Sequence, residues 1–132
     1  MGARLTIGVV AKRLGVRPSA VRFYERQGLV ASERLANGYR TYDRDAVKVL
    51  SFISRAKALG FSLGEVREIL AVRRTGTEPC ARVTKMIERN LLGIDQRIAE
   101  LSALRRQLRG LAKNPARERH VEAICPIIES KR

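Results

Sequence analysis

From Cys80 to about Ala112 the chain contains no proline and is dominated by good helix formers. Within that stretch Val83, Ile87, Leu91, Ile94, Ile98, Leu101, Leu104, Leu108 and Leu111 span 28 residues in eight steps, a mean spacing of 3.5. That period keeps every apolar side chain on one seam, the pattern of a helix that lies along a second helix. A helix of this length is about 50 Å long at 1.5 Å per residue. Folding back on its own domain is the alternative, but the helices expected earlier in the chain are too short to cover such a seam. The seam therefore predicts a coiled-coil homodimer.

The residues before this helix read as four short helices and a hairpin. Thr6 is placed to cap a helix to Leu14 in which Ile7, Val10, Ala11 and Leu14 share a face, and Gly15 stops it. Pro18 suits the first turn of a second helix, with Val21 and Tyr24 directed inward and Gly28 at its end. Asn37-Gly38, within ERLANGYRTY, signals a two-residue hairpin turn in which both turn residues take positive φ. Asp43 caps a third helix carrying Val47, Leu50, Ile53 and Leu59 on its apolar side, with Gly60 after it. Ser62 and Glu65 form a capping box for a fourth helix that runs to about Arg73. Residues 74–79 read as a linker, residues 113–124 as a polar loop, and Pro126-Ile127-Ile128 as a last short helical turn. The fold class expected is mainly α. A winged helix-turn-helix domain occupies 1–75, a dimerisation helix 80–112, and an effector-binding loop with a C-terminal turn 113–132.

The first of these segments is also the most basic. The chain has 27 Lys+Arg against 13 Asp+Glu, a formal net charge of +14. Residues 1–76 hold 15 basic and 6 acidic side chains, and residues 77–132 hold 12 and 7. A polyanion is expected to dock on the N-terminal part. There Ala11, Gly15 and Val21 supply the small residue, the turn residue and the locking apolar residue of a helix-turn-helix. The second helix then shows Arg17, Ser19 and Arg22 to solvent, where they can reach bases or phosphates of double-stranded DNA. The hairpin presents Tyr39 and Arg40 just past its tip, as a wing that grips phosphate. Arg55 and Lys57 on the third helix extend the backbone contact. Tyr24 and Tyr42 suit core packing better than DNA contact, although Tyr24 is retained among the DNA-contact candidates. Each arginine taken alone is equally well explained as a solvated charge.

No apolar run is long enough to span a membrane, and Lys12 and Arg13 come too early for a secretory signal. Cys80 and Cys125 are too far apart in sequence to be a secreted disulfide framework, so a reducing cytoplasm is expected, with thiols free or ligating. One histidine, no paired acid-base cluster and no phosphate loop leave nothing for an enzyme to work with.

The run LTIGVVAKRLGVRPSAVRFYERQGLV, followed by NGYRTYDRDAVKVLSFISRAKALGFSLGEVREIL, closely resembles the MerR family of bacterial transcriptional regulators. RFYE at 22–25, NGYR at 37–40 and AKALGF at 56–61 are specific together, and the likeness extends to CPIIES near the C-terminus. The resemblance implies a homodimer joined by an antiparallel coiled coil. Each DNA-binding domain would read half of a palindromic operator between promoter elements spaced too far apart. Effector binding would bend and untwist the DNA so that RNA polymerase engages both elements.

The resemblance also gives the cysteines a role. In metal-sensing relatives a cysteine begins the long helix, as Cys80 does here, and a loop after the helix supplies two more, of which Cys125 matches the second. The first is absent, since Asn114 and Pro115 stand in that region. In an antiparallel dimer Cys80 of one protomer approaches Cys125 of the other. His120 is a candidate third ligand, and Glu118 and Glu122 can add oxygens. Two thiolates alone suit mercury and serve tetrahedral zinc poorly, and lead and cadmium are further candidates for the ion. The plain alternative is that both cysteines pack as small hydrophobes and His120 is solvated. Two other readings stay open: a regulator answering an organic compound or a thiol-reactive or oxidative signal, and a ligand-independent architectural DNA-binding protein.

Overall fold

The computed structural model of the chain describes residues 4–113 and 122–129. The order is β1 (Leu5–Thr6), α1 (Ile7–Leu14), α2 (Pro18–Arg26), β2 (Glu33–Arg34), β3 (Arg40–Tyr42), α3 (Arg44–Ala58), α4 (Leu63–Arg74), α5 (Cys80–Lys113) and α6 (Pro126–Glu129). Two compact bodies result, Met1–Met86 and Ile87–Arg132.

In the first body, local signals place the helix ends. Gly15 takes a left-handed conformation at φ 66° and closes α1, a geometry that costs a residue without Cβ little. Pro18 opens α2. The Asp43 side chain accepts from Ala46 N at 2.8 Å to start α3. The capping box of α4 is complete: Ser62 Oγ accepts from Glu65 N at 3.1 Å, and Glu65 Oε1 accepts from Ser62 N at 2.9 Å.

Three expectations are corrected. Thr6 occupies the N-cap position of α1, but its side chain makes no capping bond. Leu5 and Thr6 instead form a strand on β3, pairing Leu5 with Tyr42 and Thr6 with Thr41, so the sheet has three antiparallel strands in the order β1-β3-β2. The hairpin turn is longer than the Asn37-Gly38 dipeptide suggests. Gly38 N donates to Leu35 O at 2.9 Å and Leu35 N to Tyr39 O at 2.8 Å, so residues 36–38 form a three-residue loop. Gly38 alone in that loop has positive φ, at 86°. Asn37 keeps negative φ and uses Oδ1 to accept from Tyr39 N at 3.1 Å. Leu59 lies outside the core at 70 % exposure: at 100° per residue it falls on the side of exposed Arg55, four residues before it, and away from buried Ile53.

Val10, Val21, Tyr42, Leu50, Ile53 and Val66 fill the centre of the core. Met86 on α5 joins the same cluster, with Val83 packed against it, so the first body takes in the opening turns of the long helix. In the second body α5 continues from Ile87. Ile87, Leu91, Ile94, Ile98, Leu101, Leu104 and Leu108 are all exposed there. In α6 the Glu129 carboxylate accepts from Cys125 N at 2.8 Å, while Glu129 N donates to Cys125 O. No helix among the described residues is long and apolar enough to cross a membrane.

Candidate nucleic-acid interface

The helix-turn-helix residues fall where the chemistry requires. Ala11 and Val21 are buried at the crossing of α1 and α2, with Gly15 in the turn between them. Burying Val21 fixes the rotation of α2, because a helix residue three or four positions away shares its face and intermediate positions do not. Ser19 and Arg22, two before and one after Val21, are consequently exposed, and Arg17, four before it, is exposed because it stands outside the helix as the extended N-cap of α2. None of Arg13, Arg17 and Arg22 has an ion pair among the described residues. Tyr24 is half-buried against the core and meets Phe23 edge-on, with ring centroids 5.6 Å apart. That is the packing role its sequence position suggested.

The wing is more closely tied to α2 than the sequence indicates. Tyr39 is 68 % exposed beside the hairpin tip. Arg40 is half-buried, and its Nε lies 3.6 Å from Glu25 Oε2 on α2. Tyr42 OH donates to the same oxygen at 3.2 Å, and Ser32 Oγ donates to Glu25 Oε1. Burial and the neighbouring Glu25 carboxylate hold the Tyr42 phenol above the ordinary tyrosine range. Glu25 is a functional candidate that sequence reasoning missed, although the RFYE motif contains it. No local pattern announces a contact between residues 15 and 17 positions apart.

On α3 the two predicted cations part company. At 100° per residue, Arg55 and Lys57 project about 200° apart around the helix and cannot grip one surface together. Arg55 instead shares a stripe with Arg44 and Lys48, all exposed, on the side opposite buried Val49, Ile53 and Ala56. The i, i+4, i+11 spacing of that stripe is visible in the sequence. Three other arginines of the first body are ion-paired among the described residues: Arg4 with Glu33, Arg73 with Asp45 at 2.7 Å and Arg82 with Glu68. The carboxylates beside Arg4 and Arg73 raise those guanidinium pKa values.

The thiols occupy different bodies. Cys80 is exposed at the first residue of α5, its carbonyl accepting from Thr84 Oγ1 at 2.9 Å. Cys125 is half-buried at the start of α6. Both are free, and among the described residues no three His, Cys, Asp or Glu side chains cluster as a metal site. The His120 candidate, Glu118 and the Asn114-Pro115 region lie outside the described residues. The donors that are described, two soft sulfur atoms, are of the kind that fits a thiophilic ion, and no full ligand set is assembled among the described residues.

A reading helix, a wing and a basic surface on one body describe a DNA-binding module. The family pattern described as "MerR HTH family regulatory protein" matches residues 5–72, from β1 to near the end of α4. The chain belongs to the MerR family. A second pattern, "MerR, DNA binding", matches residues 47–111, from α3 to the far end of α5. The MerR chain is 37 % identical to the "HTH-type transcriptional regulator HmrR" of Rhizobium leguminosarum bv. viciae, over 95 % of each chain. It is 33 % identical to the "HTH-type transcriptional regulator ZntR" of Escherichia coli K12, covering 94 % of this chain and 89 % of that one. Among solved structures it resembles the transcription regulator PbrR691 from Ralstonia metallidurans CH34 in complex with lead(II). The TM-score is 0.77 at 29 % identity, covering 96 % of this chain and 98 % of that one. This MerR protein is a DNA-binding transcriptional regulator.

Proposed function

We propose that the protein acts as a homodimer at promoter DNA and switches transcription in response to a divalent or thiophilic metal ion. The α5 seam carries the reading: seven apolar side chains, each about half exposed in the single chain, recur at the spacing of a coiled coil. A second copy of α5, antiparallel, is the partner whose length and pattern match. Arg17, Ser19 and Arg22 on α2 meet the major groove, and Tyr39 and Arg40 on the wing meet flanking phosphates. Arg55 contacts backbone from its own face of α3, and Lys57 from the other.

Cys80 begins α5 and Cys125 follows its end, so antiparallel pairing brings Cys80 of one protomer towards Cys125 of the other. His120 is a further ligand candidate in the same segment. The lead(II) complex of PbrR691 supports a metal as the effector. A bound ion would supply cross-links between protomers, which favour one angle between the DNA-binding domains over another. Operator DNA distorted to match that angle would then present both promoter elements to RNA polymerase.

The deciding experiment mixes Cys80→Ser and Cys125→Ser subunits in one dimer. One of its interfaces keeps both thiols and the other has neither. The heterodimer should bind one equivalent of mercury or lead tightly, read as thiolate-to-metal charge transfer, while each mutant homodimer binds weakly. Full-affinity binding by both homodimers, or a heterodimer as impaired as they are, would refute the shared site.

A further inference from the structure

A carboxylate on the DNA-facing helix of a chain with net charge +14 opposes phosphate binding unless it does something there. Glu25 sits in the last turn of α2 and is met by side chains from two other segments, Ser32 ahead of β2 and Arg40 and Tyr42 on β3. Arg40 and Tyr42 are two residues apart on one strand, so both project from the same face of the sheet, towards α2. Tyr42 is fully buried and anchors the strand. Arg40 remains partly open, its side chain 32 % exposed. Its Nε is the guanidinium nitrogen nearest Glu25, in an ion pair of 3.6 Å that is longer than a hydrogen bond, and Nη1 and Nη2 make no hydrogen bond among the described residues. The two Nη groups are the pair that can take a phosphate bidentately.

We propose that Glu25 is a positioning residue for DNA binding: it holds Arg40 by Nε so that the two Nη groups are presented to a backbone phosphate at a fixed distance from α2. The inference rests on the reading that Arg40 contacts phosphate. One carboxylate thereby sets the wing and the reading helix in register. Its repulsion of DNA is offset because the arginine arrives already oriented, and less side-chain entropy is lost on binding.

A simple charge argument and this proposal predict opposite signs for Glu25→Gln. The glutamine keeps one oxygen to accept from Tyr42 or Ser32, offers its NH2 to the hydroxyl oxygen of the other, and removes a negative charge. On charge alone, DNA affinity should rise. On the proposal it should fall about fivefold to tenfold, because Arg40 is released. Binding of the full dimer to a fluorescein-labelled mixed-sequence duplex, followed by anisotropy over a range of potassium chloride concentrations, reads this directly.

In the wild-type background Arg40→Ala should weaken binding about tenfold and reduce the salt slope by about one. In the Glu25→Gln background the same replacement should change affinity less than twofold. Equal effects in both backgrounds, or tighter binding by Glu25→Gln, would overturn the inference alone. No effect of Arg40→Ala in the wild type would overturn the reading of Arg40 and the inference with it. Tyr42→Phe removes one donor to Glu25 without touching Arg40 and should leave affinity within twofold. A loss as large as that of Glu25→Gln would mean that wing stability alone is at work. Should Glu25→Gln fail to fold, Arg40→Lys serves in its place. An ammonium keeps the charge but lacks the planar fork that holds Nε on Glu25 while presenting two Nη groups, so Arg40→Lys should bind more weakly than wild type, and wild-type affinity would overturn the proposal.

Discussion

Arg67 on α4 donates through Nη1 to the backbone carbonyl of Gln27 at 2.8 Å and through Nη2 to Gln27 Oε1 at 3.2 Å. Gln27 is the C-cap of α2, where the last carbonyls lack intrahelical partners and carry the negative end of the helix dipole. Arg74, two turns further along α4, reaches Gly28 O at 3.5 Å. The last helix before α5 thus holds the base of the reading helix by its backbone.

Arg67→Ala should therefore destabilise the first body by roughly 0.3–1 kcal/mol, the range for a cation at an exposed helix C-terminus. Urea unfolding should show a lower midpoint with an unchanged m value. Loss of operator affinity at full folding would show in addition that the contact orients α2.

The capping box makes a second stability prediction. Ser62→Ala leaves Glu65 N without its side-chain acceptor and should cost about 1 kcal/mol. Ser62→Gly should cost less than the alanine, since glycine is tolerated at N-caps. Equal midpoints for Ser62→Ala and wild type would show that α4 is held by packing alone.

Tyr42 gives a pH dependence of known sign. Its folded pKa is raised above the ordinary value of 10.0, first by burial and then by Glu25. The folded state therefore keeps the phenol proton where the unfolded state loses it. The stabilisation is fully present below the unfolded pKa and is lost as pH rises above it through the raised folded value. Wild type should lose stability across that alkaline interval faster than Tyr42→Phe, compared by urea unfolding at matched pH. Parallel curves would remove the phenol as the cause.

The dimer reading is tested at Ile94, which is 53 % exposed in the single chain and lies mid-seam. Ile94→Asp would place a carboxylate in the helix pair at a cost of several kcal/mol, enough to yield monomer at low micromolar concentration. Sedimentation of the variant as a dimer with wild-type affinity would exclude α5 pairing. The first body should keep its fold, because Ile94 lies beyond Met86.

What the sequence determined by itself is whatever depends on near neighbours. The Ser62–Glu65 box, the Asp43 cap, the left-handed Gly15 and the 3.5-residue seam of α5 are relations within one or two helical turns, so residue type and spacing suffice to find them. Tertiary structure decided the rest. Two residues at Leu5–Thr6 carry no strand signal of their own and become β1 only because Tyr42 and Thr41 offer an open strand edge. Asn37 keeps negative φ because a three-residue loop joins β2 to β3 and leaves the left-handed position to Gly38 alone. Arg40 turns towards Glu25, and Arg67 towards Gln27, across sequence gaps that no local rule bridges. A charged side chain can reach many partners, and its energy depends on which carboxylate or carbonyl the folded core has carried within a few ångströms and shielded from water.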